Sequence, residues 1–100
     1  MTKARISFRK EEIADFCRRN HIRRLAFFGS VLQDRFGPDS DVDVLVDFEP
    51  DAQIGFMSLS RMQRELAELL GRPVDLVPRD GLKPIIREAV LPAAEEIYAT

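Results

Sequence analysis

Hydrophobic residues recur at helical spacing in two stretches of the chain, and each stretch predicts an amphipathic helix. The first is residues 8–20, where acidic residues come early and arginines late, the order that the helix dipole favours. Ser7 is its predicted N-cap. The second is residues 56–70, which Gly71 ends. The apolar positions are Ile13, Phe16 and Cys17 in the first helix and Leu59, Met62, Leu66, Leu69 and Leu70 in the second.

Three other stretches have the pattern of β-strands. Residues 23–28 end in an apolar, aromatic-rich run that Gly29 stops abruptly. Residues 41–48 alternate, and because successive strand side chains point to opposite faces, one face carries acids and the other is apolar. The first face holds Asp41, Asp43, Leu45 and Asp47, and the second holds Val42, Val44, Val46 and Phe48. Residues 73–77 form a third short strand with Asp75 between apolar neighbours.

The remaining segments complete the predicted order of helix, strand, short helix, strand, helix, strand, helix. Ser30 begins a short helix or turn, and residues 37–40 have the composition of a loop. Residues 82–98 have the pattern of two helical pieces broken near Pro92, which contribute Ile85, Ile86, Val90 and Ile97. This order predicts an α/β (α+β) fold, a small mixed sheet covered by helices, with its acidic edge left open.

Composition narrows the class of protein and of site. The chain has 100 residues, of which 45% are hydrophobic and 32% charged, so we expect residues 1–100 to form a single domain. No apolar stretch approaches the roughly 20 residues of a membrane span, and without a signal peptide the expected location is the cytoplasm. A net charge of −2 argues against long nucleic acid as a partner. Because Cys17 is the only cysteine, a metal must be held mainly by oxygen ligands.

Two carboxylates and a glycine-serine pair carry the candidate chemistry. Asp41 and Asp43 project from one strand face, where they can converge on Mg²⁺, an ion that commonly takes one or two carboxylates plus substrate phosphates. Two such ions, about 3.5 to 4 Å apart, can activate an attacking hydroxyl and neutralise a leaving pyrophosphate. Gly29 lets a phosphate approach the backbone, and the Ser30 hydroxyl and nearby free N–H groups favour an anion there.

The whole arrangement, Gly29-Ser30, ten residues, then Asp41-x-Asp43 and a later Asp75 on a strand, resembles the DNA polymerase beta-like nucleotidyltransferase superfamily. The small size resembles its minimal nucleotidyltransferase (MNT, MntA-like) branch. The resemblance implies a palm-like fold in which all three aspartates are catalytic metal ligands for Mg²⁺, with two ions expected, and Gly29 and Ser30 contact the triphosphate. It also implies ATP as substrate and a HEPN-domain toxin ribonuclease as partner, since some family members adenylylate a tyrosine of that toxin.

One position departs from the family pattern. Members often carry an arginine where this chain has Gln33, so either Arg35 replaces that cation in binding phosphate or phosphate binding is weaker. The leading hypothesis is therefore a protein adenylyltransferase antitoxin, and the alternative is a catalytically weak module that neutralises its toxin by occlusion. The pattern leaves open whether the protein forms homo- or hetero-oligomers.

Three polar features have simpler explanations. Asp47 is expected to be a solvated strand end beyond reach of the metals, and His21 is assigned no role because it follows a helix end. The cluster of Arg18, Arg19, Arg23 and Arg24 has two interpretations, a solvated helix end or a contact with a partner.

Overall fold

The computed structural model describes residues 8–29 and 41–100, which form three α-helices and four β-strands. The helices are α1 (Lys10–Arg19), α2 (Phe56–Leu70) and α3 (Pro84–Val90), and the strands are β1 (Ile22–Phe28), β2 (Val42–Phe48), β3 (Val74–Pro78) and β4 (Glu95–Ala99). A 3₁₀ turn, Arg79–Gly81, follows β3. The predicted mixed α/β architecture is confirmed. The predicted short helix at Ser30 and the loop at 37–40 lie outside the described residues.

The four strands form one mixed sheet in the order β3-β2-β1-β4. Strand β1 is antiparallel to both β2 and β4, whereas β2 and β3 are parallel. As a result, the C-terminal end of β1 lies beside the N-terminal ends of β2 and β3, at one end of the sheet. Helix α2 makes the crossover that parallel neighbours require, because it carries the chain from the end of β2 back to the start of β3.

The core lies on one face of the sheet, under α1 and α2. In β2 the predicted alternation is realised, since Val42, Val44 and Val46 are at most 1% exposed. The other buried members of the core are Ile13, Phe16, Cys17, Ile22, Leu25, Phe27, Met62, Leu66, Leu70, Val74 and Leu76. Fully burying a side chain of this size contributes about 1.5 to 3 kcal/mol, so this face supplies most of the stabilisation of the fold.

Both long helices end where the sequence indicates, but α1 begins later than predicted. Its N-cap is Arg9 rather than Ser7, and no side chain caps it. Helix α2 ends at Gly71, which has a left-handed φ of 67° and donates its N–H to the carbonyl of Ala67. A left-handed residue at a helix C-terminus favours glycine, because a Cβ is strained there.

The C-terminal segment differs from the prediction. Residues 95–99 form the edge strand β4 rather than a second helical piece. Ile97 packs against the core, but Ile85 and Ile86 are 78% and 45% exposed, so the expectation that α3 contributes to the core is wrong. Helix α3 spans only seven residues, and none of them is buried.

None of the helices in residues 8–29 and 41–100 is both long and apolar enough to cross a bilayer.

Candidate active site at one end of the sheet

The pairing of three strands brings two of the predicted carboxylates together. Asp43 on β2 lies opposite Phe28 on β1 and opposite Asp75 on β3. Directly paired residues share a face of the sheet, and neighbouring strands are about 4.8 Å apart, so the Asp43 and Asp75 side chains lie beside each other. Asp41 precedes β2 and is exposed. The three aspartates thus occupy one end of the sheet, on the face opposite the core.

The Asp43 carboxyl lies in a partly buried and negatively charged environment. Burial raises the pKa of the Asp43 carboxyl above its ordinary value, and the negative charges of Asp75 and then Asp41 raise the pKa further. Asp43 is partly buried, whereas Asp41 and Asp75 are exposed. The end of the sheet therefore gathers mutually repelling carboxylates, an arrangement that a cation would stabilise.

The donor chemistry at this end suits a hard cation in an open site. Every candidate ligand is a carboxylate oxygen, the donor that Mg²⁺ prefers, and Mg²⁺ usually keeps several waters or takes phosphate oxygens rather than a closed protein cage. In the part of the chain that the structure describes, no group of three or more His, Cys, Asp or Glu side chains forms a ready-made metal cage. The residues present fit an ion whose coordination a substrate completes.

Gly29 leaves β1 directly above Asp43, and two features of its backbone require glycine. Its φ is +75°, a left-handed conformation that strains residues with a Cβ. A Cβ built there would also overlap Oδ2 of Asp43 and lie 3.2 Å from its Cγ. The backbone at Gly29 therefore lies so close to the Asp43 carboxylate that a side chain at position 29 would collide with it. Ser30, Gln33 and Arg35 lie outside the described residues, so their roles in phosphate binding stay predictions.

Asp47 has a different role from the one expected. Its Oδ2 accepts a hydrogen bond from Nη2 of Arg23 at 3.0 Å, and its side chain is only 16% exposed. It is therefore an ion-paired residue on the sheet and not a solvated strand end. The signal that could have identified it is cross-strand register, since Arg24, the neighbour of Arg23, pairs with Asp47 in the sheet.

The arginine cluster is largely engaged within the chain. Arg19 pairs with Asp15 at 3.0 Å and with Glu65 at 2.6 Å. Arg24 lies 4.0 Å from Glu96. Together with the Arg23 pair, these contacts give three of the four arginines acidic partners in the same protein, which favours a structural role over a contact with another molecule.

Comparison with known proteins points to one family. The nucleotidyltransferase domain family matches residues 10–95. Protein adenylyltransferase MntA of Thermococcus cleftensis is 39% identical over 70 residues, which cover 70% of this chain and 69% of that protein. A solved structure assigned to the minimal nucleotidyltransferases is 38% identical with a TM-score of 0.70, covering 85% of each chain. A chain from the complex of tri-AMPylated Shewanella oneidensis HEPN toxin with MNT antitoxin matches 91% of this chain and 70% of its own length, with a TM-score of 0.66 and 20% identity, which shows a shared fold.

Proposed function

Because the chain belongs to the nucleotidyltransferase domain family, in its minimal, MntA-like branch, we propose that it transfers AMP from ATP to a tyrosine hydroxyl of a HEPN toxin. The Thermococcus relative is a protein adenylyltransferase, and the Shewanella complex joins an MNT antitoxin to an AMP-modified toxin. The observation that carries the proposal is the register that sets Asp43 beside Asp75 and beneath Gly29. Since ATP and the toxin must both be available, we expect the protein to act in the cytoplasm.

We further propose that the reaction depends on Mg²⁺. Asp41 and Asp43 would hold the ion or ions, and Asp75 would complete the ligand set from the neighbouring strand. Bound there, Mg²⁺ would supply positive charge to the phosphates of ATP and to the leaving pyrophosphate. Burial first, and then the negative charges of Asp75 and Asp41, raise the pKa of the Asp43 carboxyl, and this supports the role because a cation would offset the repulsion among the three carboxylates.

The chemical step forms one bond and breaks one. The tyrosine oxygen bonds to the α-phosphorus of ATP, the bond from that phosphorus to the bridging oxygen breaks, and pyrophosphate leaves with the electron pair. Asp75 accepts the proton of the tyrosine hydroxyl, because it is the exposed carboxylate on the edge strand β3, where an incoming protein can reach it. Gly29, with Ser30 and Arg35, binds the triphosphate.

Transfer is tested with ATP labelled at the α-phosphate, Mg²⁺ and the HEPN toxin encoded beside this protein. We expect label on the toxin with the natural chain and no label with the Asp41→Asn, Asp43→Asn double variant. Asp51→Asn is the matched control, because it removes an exposed carboxylate beyond the other end of β2 and should leave labelling unchanged.

The same assay separates transfer from occlusion. If the natural chain leaves the toxin unlabelled, and the double variant still blocks the toxin's ribonuclease activity, then the protein acts by binding alone and the proposed function is wrong. Retention of labelling by the double variant would instead show that the carboxylates are misassigned.

A further inference from the structure

A second concave feature lies on the same face of the sheet as the carboxylates. It is a cavity of about 230 Å³ whose floor is formed by Ala26 on β1 and Leu45 on β2, which are direct partners in the sheet. Leu45 follows Asp43 by two residues on the same face, so the floor begins about 7 Å from the central carboxylate along the strand. None of the three aspartates lines the cavity. It is a neighbouring space and not the carboxylate site itself.

Apolar groups from another part of the chain complete this space. Leu91 and Ala94, in the turn after α3, line the cavity together with the floor residues. The carbonyl of Val90 accepts a hydrogen bond from the N–H of Ala94 at 3.0 Å, which fixes the turn to the end of α3. Leu45 is only 6% exposed, although it lies on the face that the sequence predicts to be open. The apolar floor, together with Leu91 and Ala94 from the second segment, can pack against the faces of a flat ring.

The rim of the cavity offers both hydrogen-bond donors and acceptors. Arg24 and Arg79 supply guanidinium groups, whereas Asp47 and Glu96 supply carboxylates. Asp47 uses Oδ2 in its pair with Arg23, which leaves Oδ1 as an acceptor, and Glu96 lies 4.0 Å from Arg24. Within residues 8–29 and 41–100, Arg79 forms no ion pair, so its donors are available to a ligand. Adenine presents an acceptor, N7, next to a donor, the N6 amino group. A rim with both guanidinium donors and carboxylate acceptors can therefore form hydrogen bonds with both N7 and the N6 amino group.

We propose that this cavity binds the adenine base of ATP. The inference rests on the proposed function, because it takes the α-phosphate to lie at Asp43 and the ribose to bridge the distance to the cavity. The space from Leu45 to Asp47 extends from about 7 to about 13 Å from Asp43 along the strand. The volume is smaller than the roughly 300 to 1,000 Å³ of pockets that enclose a whole drug-sized ligand, which suits one ring system with the phosphates outside it.

Two neighbouring alanines provide a matched test. Ala94 lines the cavity, whereas Ala93 is exposed and does not. We expect Ala94→Phe to fill the space and to weaken ATP binding at least tenfold in calorimetric titrations with Mg²⁺. Its affinity for inorganic tripolyphosphate, which has no base, should be unchanged. Ala93→Phe should alter neither affinity, and thermal denaturation of both variants checks that they fold.

A second variant keeps the test decisive if Ala94→Phe does not fold. Arg79→Met retains most of the side-chain volume but removes the donors, so it should weaken ATP binding severalfold and leave tripolyphosphate binding unchanged. Equal losses for ATP and tripolyphosphate would mean that Arg79 binds phosphate, and this would overturn the proposal.

Two other results would also overturn it. Ala94→Phe could bind ATP as the natural chain does, which would mean that the base lies elsewhere. It could bind ATP normally but raise the KM for the toxin, which would make the cavity an acceptor site while the proposed transfer stands. Failure of the transfer itself has a separate signature, because the toxin would then stay unlabelled whatever the comparison of ATP with tripolyphosphate shows.

Discussion

Replacing Gly29 with alanine tests the close approach of the backbone to Asp43 in the proposed active site. A left-handed conformation costs a residue with a Cβ about 1 to 2 kcal/mol, and the restricted unfolded chain returns about 0.4 to 1 kcal/mol. The new Cβ would also overlap Oδ2 of Asp43, and moving that side chain off its rotamer costs a further 0.5 to 1.5 kcal/mol or so. We expect Gly29→Ala to lower the free energy of unfolding by about 2 kcal/mol, the sum of these contributions.

Gly71→Ala is the matched control. Gly71 has nearly the same backbone conformation, with φ +67°, but a Cβ there would meet no atom within 4 Å. It should therefore show the conformational cost alone, about 1 kcal/mol, and lower the melting temperature by roughly 4 to 8 °C, half the decrease expected for Gly29→Ala. Toxin labelling should survive in Gly71→Ala and fall about a hundredfold in Gly29→Ala, because a catalytic group displaced by about 1 Å can cost that much.

A third measurement isolates the contact. In an Asp43→Ala background the carboxylate is gone, so Gly29→Ala should cost no more than Gly71→Ala. Chemical denaturation of the single and double variants gives the coupling free energy between positions 29 and 43. If Gly29→Ala destabilises the natural chain and the Asp43→Ala chain equally, the contact with Asp43 has no energetic consequence and the reasoning is refuted.

Three further predictions address the charges and the core. Asp43→Asn should raise the melting temperature in Mg²⁺-free buffer, because it removes a partly buried charge facing Asp41 and Asp75; a decrease would contradict this account. Leu66→Ala should lower the free energy of unfolding by about 2 to 5 kcal/mol in urea denaturation, since Leu66 is fully buried, and a loss below 1 kcal/mol would mean that the core relaxes around it. Burial raises the pKa of the Cys17 thiol to about 12 from 9.0, so the folded state loses stability as pH rises between these values, and the loss should be smaller in Cys17→Ala.

The fold is most predictable where a short-range pattern repeats. The period of two in β2 identifies both its buried face and the acids opposite, and the helical stripe in α2 identifies Met62, Leu66 and Leu70 as core. Strand β4 is different, because it is short, begins with two glutamates and depends on pairing with β1. Polar residues are common on edge strands, so its composition does not separate it from a helix end. The Arg23–Asp47 pair is equally invisible to the local pattern, since it depends on register.

The residues of the candidate site also differ in whether the local sequence is enough to identify them. Asp41, Asp43 and Gly29 can be identified from a single stretch of sequence, because a strand, its face and the glycine that ends the preceding strand are all local features. Asp75 is different, since nothing in its own five-residue strand distinguishes a ligand from an acid on an exposed edge. The resemblance to a known family identified it, and the register places it beside Asp43.

The position of Asp75 is determined by α2. The helix has 15 residues and is therefore about 22 Å long, enough to return the chain along the whole of β2 to the start of β3. Gly71 ends it there, and the side-chain Oε1 of Gln63 accepts a hydrogen bond at 2.9 Å from the N–H of Leu76, the residue after Asp75. This bond engages a backbone N–H of an edge strand and ties β3 to the helix. The third carboxylate thus depends on the length and attachment of a helix that contributes no residue to the proposed site.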